Sequence, residues 1–462
     1  MDDSRNFTFD EIVVGHSETL TRQLCVTEVE ALALAAGAID PAHIEGAPIK
    51  DGPTAPGAAA AALVSNLLLR RFPGPGSAIV ETQLRYGGVI GVGDKLTVSV
   101  SARAKHADGH RVDFDCRCVN QQDAMLVEGI AVVAAPPKSI AYSNVATPEI
   151  LLRRNDGFAP LLRRCKALPP IRCAVVHPCD RDSLFGALEA AKRKMIVPVL
   201  VGPEKKIRVV ASTENVDLTP YEIVSAEHSH AAAQKAVELA RAGDVDALMK
   251  GSLHTDELMG AVVPTGTGLR TARRISHVFV IDVPTYPRLL LVTDAAINIA
   301  PDIEVKADIA QNAIDLARVL GIAKPKVAIL SAVETVNPKI PSTVDAAALC
   351  KMADRGQITG GVLDGPLAFD NAISAAAAAT KNIVSPVAGE ADILLVPDLE
   401  SGNILAKQLQ YLAGADSAGI VLGTRVPIVL TSRADPVRTR LVSTAVMMLV
   451  VHSRRLAARP LV

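Results

Sequence analysis

Apolar positions along the chain keep one period in its first part and another beyond it. Between Ala78 and Ala134 they alternate with polar ones in β-rich runs: Ala78–Tyr86, Lys95–Lys105, Arg111–Asn120 and Met125–Ala134. A period of two is that of a strand with one buried face. Just ahead, residues 57–69 form an apolar, alanine-rich stretch that closes on Arg70 and Arg71. It is too short for a bilayer, which takes about 20 apolar residues, and fits a buried helix. One helix packed on an antiparallel sheet is the expected arrangement.

From about residue 150 short β-branched runs alternate with alanine-rich helical stretches. The runs are Cys173–Val176, Val197–Val201, Val278–Val283, Leu289–Thr293, Val327–Ser331, Ile393–Val396 and Val426–Leu430. That alternation predicts an α/β fold with a largely parallel sheet. His230 to Gly243 has helical spacing and ends on a glycine suited to a C-cap, and Ile373–Thr380 contains five consecutive alanines; both read as scaffold. Pro136 and Pro137 stand in a small, polar setting between the two patterns. The chain therefore divides into a domain over 1–136, a linker over 137–149 and a domain over 150–462. A length of 462 residues agrees, because a single core rarely grows so large.

Composition narrows the chemistry. The net charge of −1, from 48 basic and 49 acidic residues, argues against a broad nucleic-acid surface and leaves only local basic pockets. No run is apolar enough to span a membrane, and the opening Met-Asp-Asp-Ser-Arg lacks a secretory pattern, so a cytoplasmic protein is expected. The seven cysteines have neither a disulfide framework nor zinc-ligand spacing. Cys173 and Cys350 lie in apolar runs that suit core thiols, not a nucleophile. No metal or redox cofactor is implied.

Cations, hydroxyls and small residues gather where predicted strands end, the usual ligand side of an open α/β sheet. These segments run Met249 to Thr255, Gly268 to His277, Val292 to Asp302, Ser331 to Lys339, Asp364 to Asn371 and Leu430 to Asp435. In sequence and spacing they resemble the phosphate acetyl/butyryltransferase family over roughly the last 300 residues. Asp-Gly-Pro-Leu-Ala-Phe-Asp and Thr-Ser-Arg-Ala-Asp look nearer to its butyryltransferase branch. The resemblance implies two α/β subdomains like those of isocitrate and isopropylmalate dehydrogenases, with a cleft between them. It also implies exchange of a short acyl group, acetyl to butyryl, between coenzyme A and inorganic phosphate, with acyl-CoA, phosphate and acyl phosphate as partners and no bound cofactor. A nicotinamide site and the metal-binding aspartates of a dehydrogenase are not evident.

By the same resemblance Ser432 and Arg433 position substrate, and Asp435 is the candidate base for the coenzyme A thiol. The acetyltransferase branch carries its acid further on, where this chain has Thr439, and a helix N-cap is the other reading of Asp435. The thiolate is the attacking species, so a base or nearby cations must favour it. Phosphate calls for guanidinium forks and backbone N–H groups, and Arg433, Arg270 and Arg274 are the candidates. Lys250, Gly251 and Thr255 form a second anion-contacting loop, expected to face the same cleft as Ser432, and Ser276 lies nearby in sequence. Asp294, Asn298, Asp370 and Asn371 either line the cleft or organise strand-end turns.

The first domain resembles the MaoC-like hotdog enoyl-CoA hydratases through Leu34 to His43, Pro73 to Gly76, Arg85-Tyr86 and Gly91 to Asp94. Active members carry Asp-x-Asn-Pro-x-His; aligned on Pro41 and His43, the aspartate falls on Ala38 and the asparagine on Asp40. His43 thus lacks its carboxylate partner. A residual hydratase using Asp40 and His43, an acyl-CoA-binding module and a structural dimerisation unit are the three readings, and the family implies at least a homodimer. A noncatalytic acyl-CoA-binding scaffold is the alternative for the whole chain.

Overall fold

The structure is a computed structural model that describes residues 4–35, 54–55, 57–91, 93–142, 156–432 and 435–458. The chain forms two compact units, Met1–Leu152 and Arg153–Val462.

In the first unit the strands are β1 (Ser4–Arg5), β2 (Ser17–Gln23), β3 (Thr54–Ala55), β4 (Ala78–Tyr86), β5 (Ile90–Gly91), β6 (Lys95–His106), β7 (Arg111–Val119), β8 (Met125–Ala134) and β9 (Ala141–Tyr142). Five form an antiparallel sheet in the order β2-β6-β7-β8-β4. Alternation decides its inner face: Leu96, Val98 and Val100 of β6 and Val112, Phe114 and Cys116 of β7 are fully buried. The helix Ala58–Arg70 lies on the sheet and buries Ala59, Ala60, Leu63, Val64, Leu67 and Leu68 along one stripe. One element falls within the expected linker: β9 pairs with β1, inside this unit.

In the second unit the strands are β10 (Ile171–Val176), β11 (Ile196–Gly202), β12 (Glu222–Ser225), β13 (Ala247–Lys250), β14 (Ser276–Asp282), β15 (Leu290–Thr293), β16 (Lys326–Leu330), β17 (Val362–Leu367), β18 (Ile393–Leu395), β19 (Asp416–Leu422) and β20 (Ile428–Val429). They make one sheet in the order β12-β11-β10-β13-β20-β19-β14-β15-β18-β16-β17. Helices cover both faces, so alternate residues of one strand enter different cores: Cys173 and Val175 of β10 join one cluster, Ala174 and Val176 another. This is why such strands read as continuous apolar runs.

Two parallel blocks, β12 to β20 and β15 to β17 in that order, are joined through antiparallel contacts of β20 with β19, β19 with β14 and β14 with β15. The blocks therefore run in opposite directions, and their strands end on opposite edges of the sheet. The helix Ser229–Ala242 closes on Gly243 in the left-handed conformation, as its spacing predicts. The polyalanine helix begins only at Ala375, because Ser374 leaves helical geometry and caps it by accepting a hydrogen bond from the Ala377 N–H.

At the end of β13 the chain passes close to the end of β10, with the Gly251 N–H donating to the Val176 carbonyl at 2.9 Å. A Cβ on Gly251 would lie 2.4 Å from that oxygen and 2.7 Å from the His177 oxygen, both backbone atoms that cannot yield cheaply. We expect Gly251→Ala to lower unfolding stability by about 1–3 kcal/mol, the usual cost of overpacking, checked by urea denaturation.

Candidate active site

β13 and β20 are buried parallel neighbours, Leu248 beside Ile428 and Met249 beside Val429. Their ends consequently bring Lys250 next to the segment Leu430–Ser432. Lys250 is 3% exposed, and its Nζ donates to the Thr431 carbonyl at 3.4 Å. The following turn is tied to β10: Ser252 Oγ donates to the His177 carbonyl (2.9 Å) and accepts from the Cys179 N–H (3.2 Å). Burial, and then the charge of Lys206, hold the His177 imidazole below its ordinary value, so it is neutral near pH 7.

Ser432 and Asp435 close a tight turn. Asp435 Oδ2 accepts from the Ser432 N–H at 2.6 Å, and the Asp435 N–H donates to the Ser432 carbonyl at 3.2 Å. Burial raises the Asp435 carboxyl above its ordinary value, while the Ser432 N–H and the charges of Arg440, Lys407 and Lys250 pull it back. The helix Val437–Ala457 follows, and its N-cap is Pro436 with no side-chain acceptor. The N-cap reading of Asp435 thus gives way to a turn-closing carboxylate. Arg433 lies outside the described residues.

Beneath this turn sits Arg440, 1% exposed. Its Nη1 donates to Thr431 Oγ1 (3.0 Å) and the Lys250 carbonyl (3.4 Å), and its Nη2 to the Ser432 carbonyl (3.1 Å). The motif comparison passed over this arginine. The signal available was a cation four residues before Thr444 in a stretch, Leu441 to Val451, that is otherwise free of charge.

Arg270, Arg274, Ser276, Asp294 and Asn298 occupy the opposite end of β14. Ser276 pairs with Leu422 and Arg270 bridges Thr424, whereas β20 pairs Val429 with Ile420 and leads on to Thr431. By this register Thr431 is level with about Ala418 and Ser276 with Leu422, so about four residues of β19 separate them, roughly 13 Å at strand rise, and Arg270 lies further out beside Thr424. Strand direction thus puts Arg270 and Arg274 toward the edge of the sheet opposite Lys250. Here Asp294 accepts from the N–H groups of Ala296 (3.0 Å), Ile297 (3.1 Å) and Asn298 (3.2 Å), and burial raises its carboxyl. Asn298 Nδ2 donates to Asp294 Oδ2 (2.6 Å) and the Ile275 carbonyl (2.9 Å), and its Oδ1 accepts from Arg274 Nε (3.3 Å). Ser276 Oγ is buried against Asn312 Nδ2 at 2.8 Å. Arg270 and Arg274 are exposed.

Asp370 and Asn371 form a third group. Buried Asn371 donates to Glu334, and Lys381 bridges Glu334 (2.5 Å) and Asp370 (3.1 Å). Thr255 opens the helix Thr255–Val262 one turn past Gly251. Asp40 and His43 lie outside the described residues. Among the described residues no cluster of three metal-ligating side chains occurs, and no helix is long and apolar enough to cross a membrane. Burial pushes the Cys350 thiol up to about 12, against use as a nucleophile.

The sequence profile of phosphate acetyl/butaryl transferases matches residues 229–449. The phosphate acetyltransferase of Rhizobium meliloti is 64% identical over 297 residues, 64% of this chain and 94% of that protein. The chain belongs to the phosphate acetyl/butyryltransferase family. It is an acyltransferase. The phosphate butyryltransferase of Clostridium acetobutylicum is 41% identical over 64% of this chain and 99% of its own. Identity thus runs higher to a protein named for acetyl, although two motifs look nearer to the butyryl branch. A branched-chain phosphotransacylase from Enterococcus faecalis superposes at TM-score 0.54 with 31% identity, covering 61% of this chain and 99% of its own.

Within this acyltransferase Asn298 joins two charged groups. We expect Asn298→Ala to lower stability by about 1–3 kcal/mol, the cost of stranding buried polar partners, checked by thermal unfolding.

Proposed function

We propose that the chain transfers an acetyl group between coenzyme A and inorganic phosphate by direct attack in a ternary complex. The observation that supports it most is the Asp435 carboxylate, half-buried among Lys250, Lys407 and Arg440 and two residues past Arg433. Asp435 takes the thiol proton. The thiolate sulfur then bonds to the acyl carbon of acyl phosphate, the carbon–oxygen bond to phosphorus breaks, and phosphate leaves with the electron pair. In reverse, a phosphate oxygen bonds to the thioester carbon, the carbon–sulfur bond breaks with its electron pair going to the thiolate, and Asp435 returns the proton to sulfur.

Ser432, Arg433 and Lys250 are assigned to the phosphate and the oxyanion, where cations favour the charge that develops in the transition state. Gly251 and Thr255 belong to the same anion loop. Arg270 and Arg274, exposed and distant, are assigned to phosphate groups of the coenzyme itself. Asp294, Asn298 and Ser276 organise that end; Asp370 and Asn371 form a wall held by Glu334. Acetyl is favoured by identity to the Rhizobium relative. The two-subdomain cleft, a homodimer and a cytoplasmic address complete the proposal.

For the first unit we favour a structural hotdog module in which Asp40 and His43 no longer hydrate enoyl-CoA. Its support is one helix on a five-stranded antiparallel sheet together with Ala38 at the aspartate position. Purified protein should leave the absorbance of crotonyl-CoA unchanged; its loss would establish a bifunctional enzyme.

Phosphate-dependent release of coenzyme A thiol, read with a thiol reagent, is expected from acetyl-CoA and more slowly from butyryl-CoA. No release from either overturns the transfer reaction. Arg433→Ala should lower turnover by roughly two to three orders of magnitude, and normal turnover would remove it from the site. The Asp435 base works ionised and its carboxyl is raised, so activity declines as pH falls through that value. Asp435→Asn should lose about a hundredfold or more and flatten this acid limb; an unchanged pH profile would sink the assignment.

A further inference from the structure

We infer that Arg440 is a positioning residue for acyl transfer, seated by the absent side chain of Gly186, and that the pair fixes the Thr431–Ser432 segment on which the reacting groups are mounted. Arg440 is one of the largest fully buried side chains among the described residues, and its Nη atoms reach three acceptors on two separate strand ends, Lys250 at the end of β13 and Thr431 with Ser432 after β20. No carboxylate forms an ion pair with it among the described residues, and its Nε has no hydrogen-bond partner. A buried cation held mainly by carbonyls is costly if its purpose is stability alone.

Gly186 makes the placement possible. It lies mid-helix in Arg181–Lys192, where glycine is less favourable than alanine. A Cβ there would stand 2.6 Å from Arg440 Cδ, 3.0 Å from its Cβ and 3.3 Å from its Cγ. The arginine stem is fully buried, so an added Cβ would have to shift it. A helix interior that tolerates glycine at this one contact has been fitted to the arginine, not to its own propensity. Around Asp435 the charges are Arg440 on the following helix Val437–Ala457, Lys250 on β13 and Lys407 on the helix Leu399–Tyr411; Asp180 and Asp182 face Arg440 from the start of the Gly186 helix.

The inference rests on the reading that Ser432 and Asp435 belong to the reacting site, and it is tested on the full chain with acetyl-CoA and phosphate. Gly186→Ala should still fold with a lowered thermal midpoint, because its Cβ overpacks the buried arginine stem, and should lower kcat at least tenfold with KM within about threefold, because the guanidinium is displaced. Arg440→Lys should retain more activity than Arg440→Met, and Arg440→Met should shift the acid limb of kcat to higher pH, since removing the cation favours protonated Asp435. Folded Gly186→Ala and Arg440→Lys proteins with wild-type kcat and acid limb overturn the inference. If Arg440→Met does not fold, the other two variants decide. Normal turnover in Asp435→Asn would remove the base while leaving the kcat test of Gly186→Ala standing.

Discussion

The proposed reacting site of the second unit depends on the pairing of β13 with β20. Only Leu248 with Ile428 and Met249 with Val429 are in register, yet this contact joins segments some 180 residues apart in the chain. Both strands are buried on both faces, so their apolar residues leave little freedom of register. Lys250 and the Thr431–Ser432 segment meet because the strands carrying them end at the same level. The long C-terminal helix starts directly afterwards and brings Arg440 back beneath the same point.

The direction of strands then partitions the charged loops. A wholly parallel sheet would present all its strand ends on one edge, and the loops rich in cations and hydroxyls would form one site. The antiparallel trio β19, β14 and β15 reverses the second block. Arg270 and Arg274 are consequently set apart from Lys250, Ser432 and Asp435 by the length of a strand, which suits a substrate with charged groups at a distance from its reacting sulfur.

Much of this was legible in the residues. The strands Ala78–Tyr86 and Met125–Ala134 follow from a period of two, and the helix ending at Gly243 from its C-cap. β10 and β11 were readable because strands buried on both faces are unbroken apolar runs. Three features escaped. The antiparallel centre was hidden because β14 and β19 are buried on both faces like their parallel neighbours and so lack the alternation that marks an antiparallel strand. The division of the site was hidden because spacing along the chain carries no information on strand direction. Arg440 was hidden because motif comparison looks for reactive side chains in loops, and this one sits inside a helix among apolar neighbours. Asp435 was singled out as a candidate base, but its part in closing a turn with Ser432 needed the backbone.

The order of strands also says when this unit can fold. β19, β20 and the helix Val437–Ala457 are the last elements in sequence, yet β19 and β20 lie in the middle of the sheet, between blocks formed from earlier segments. Until they leave the ribosome, β13 and β14 have no neighbour on one side, and each exposes an apolar strand edge. Contacts of such sequence separation slow folding and leave aggregation-prone edges in the interval. Synthesis of this enzyme therefore passes through a stage in which two half-sheets wait for a shared centre, and a nascent chain arrested before residue 416 is the form that chaperones would be expected to retain.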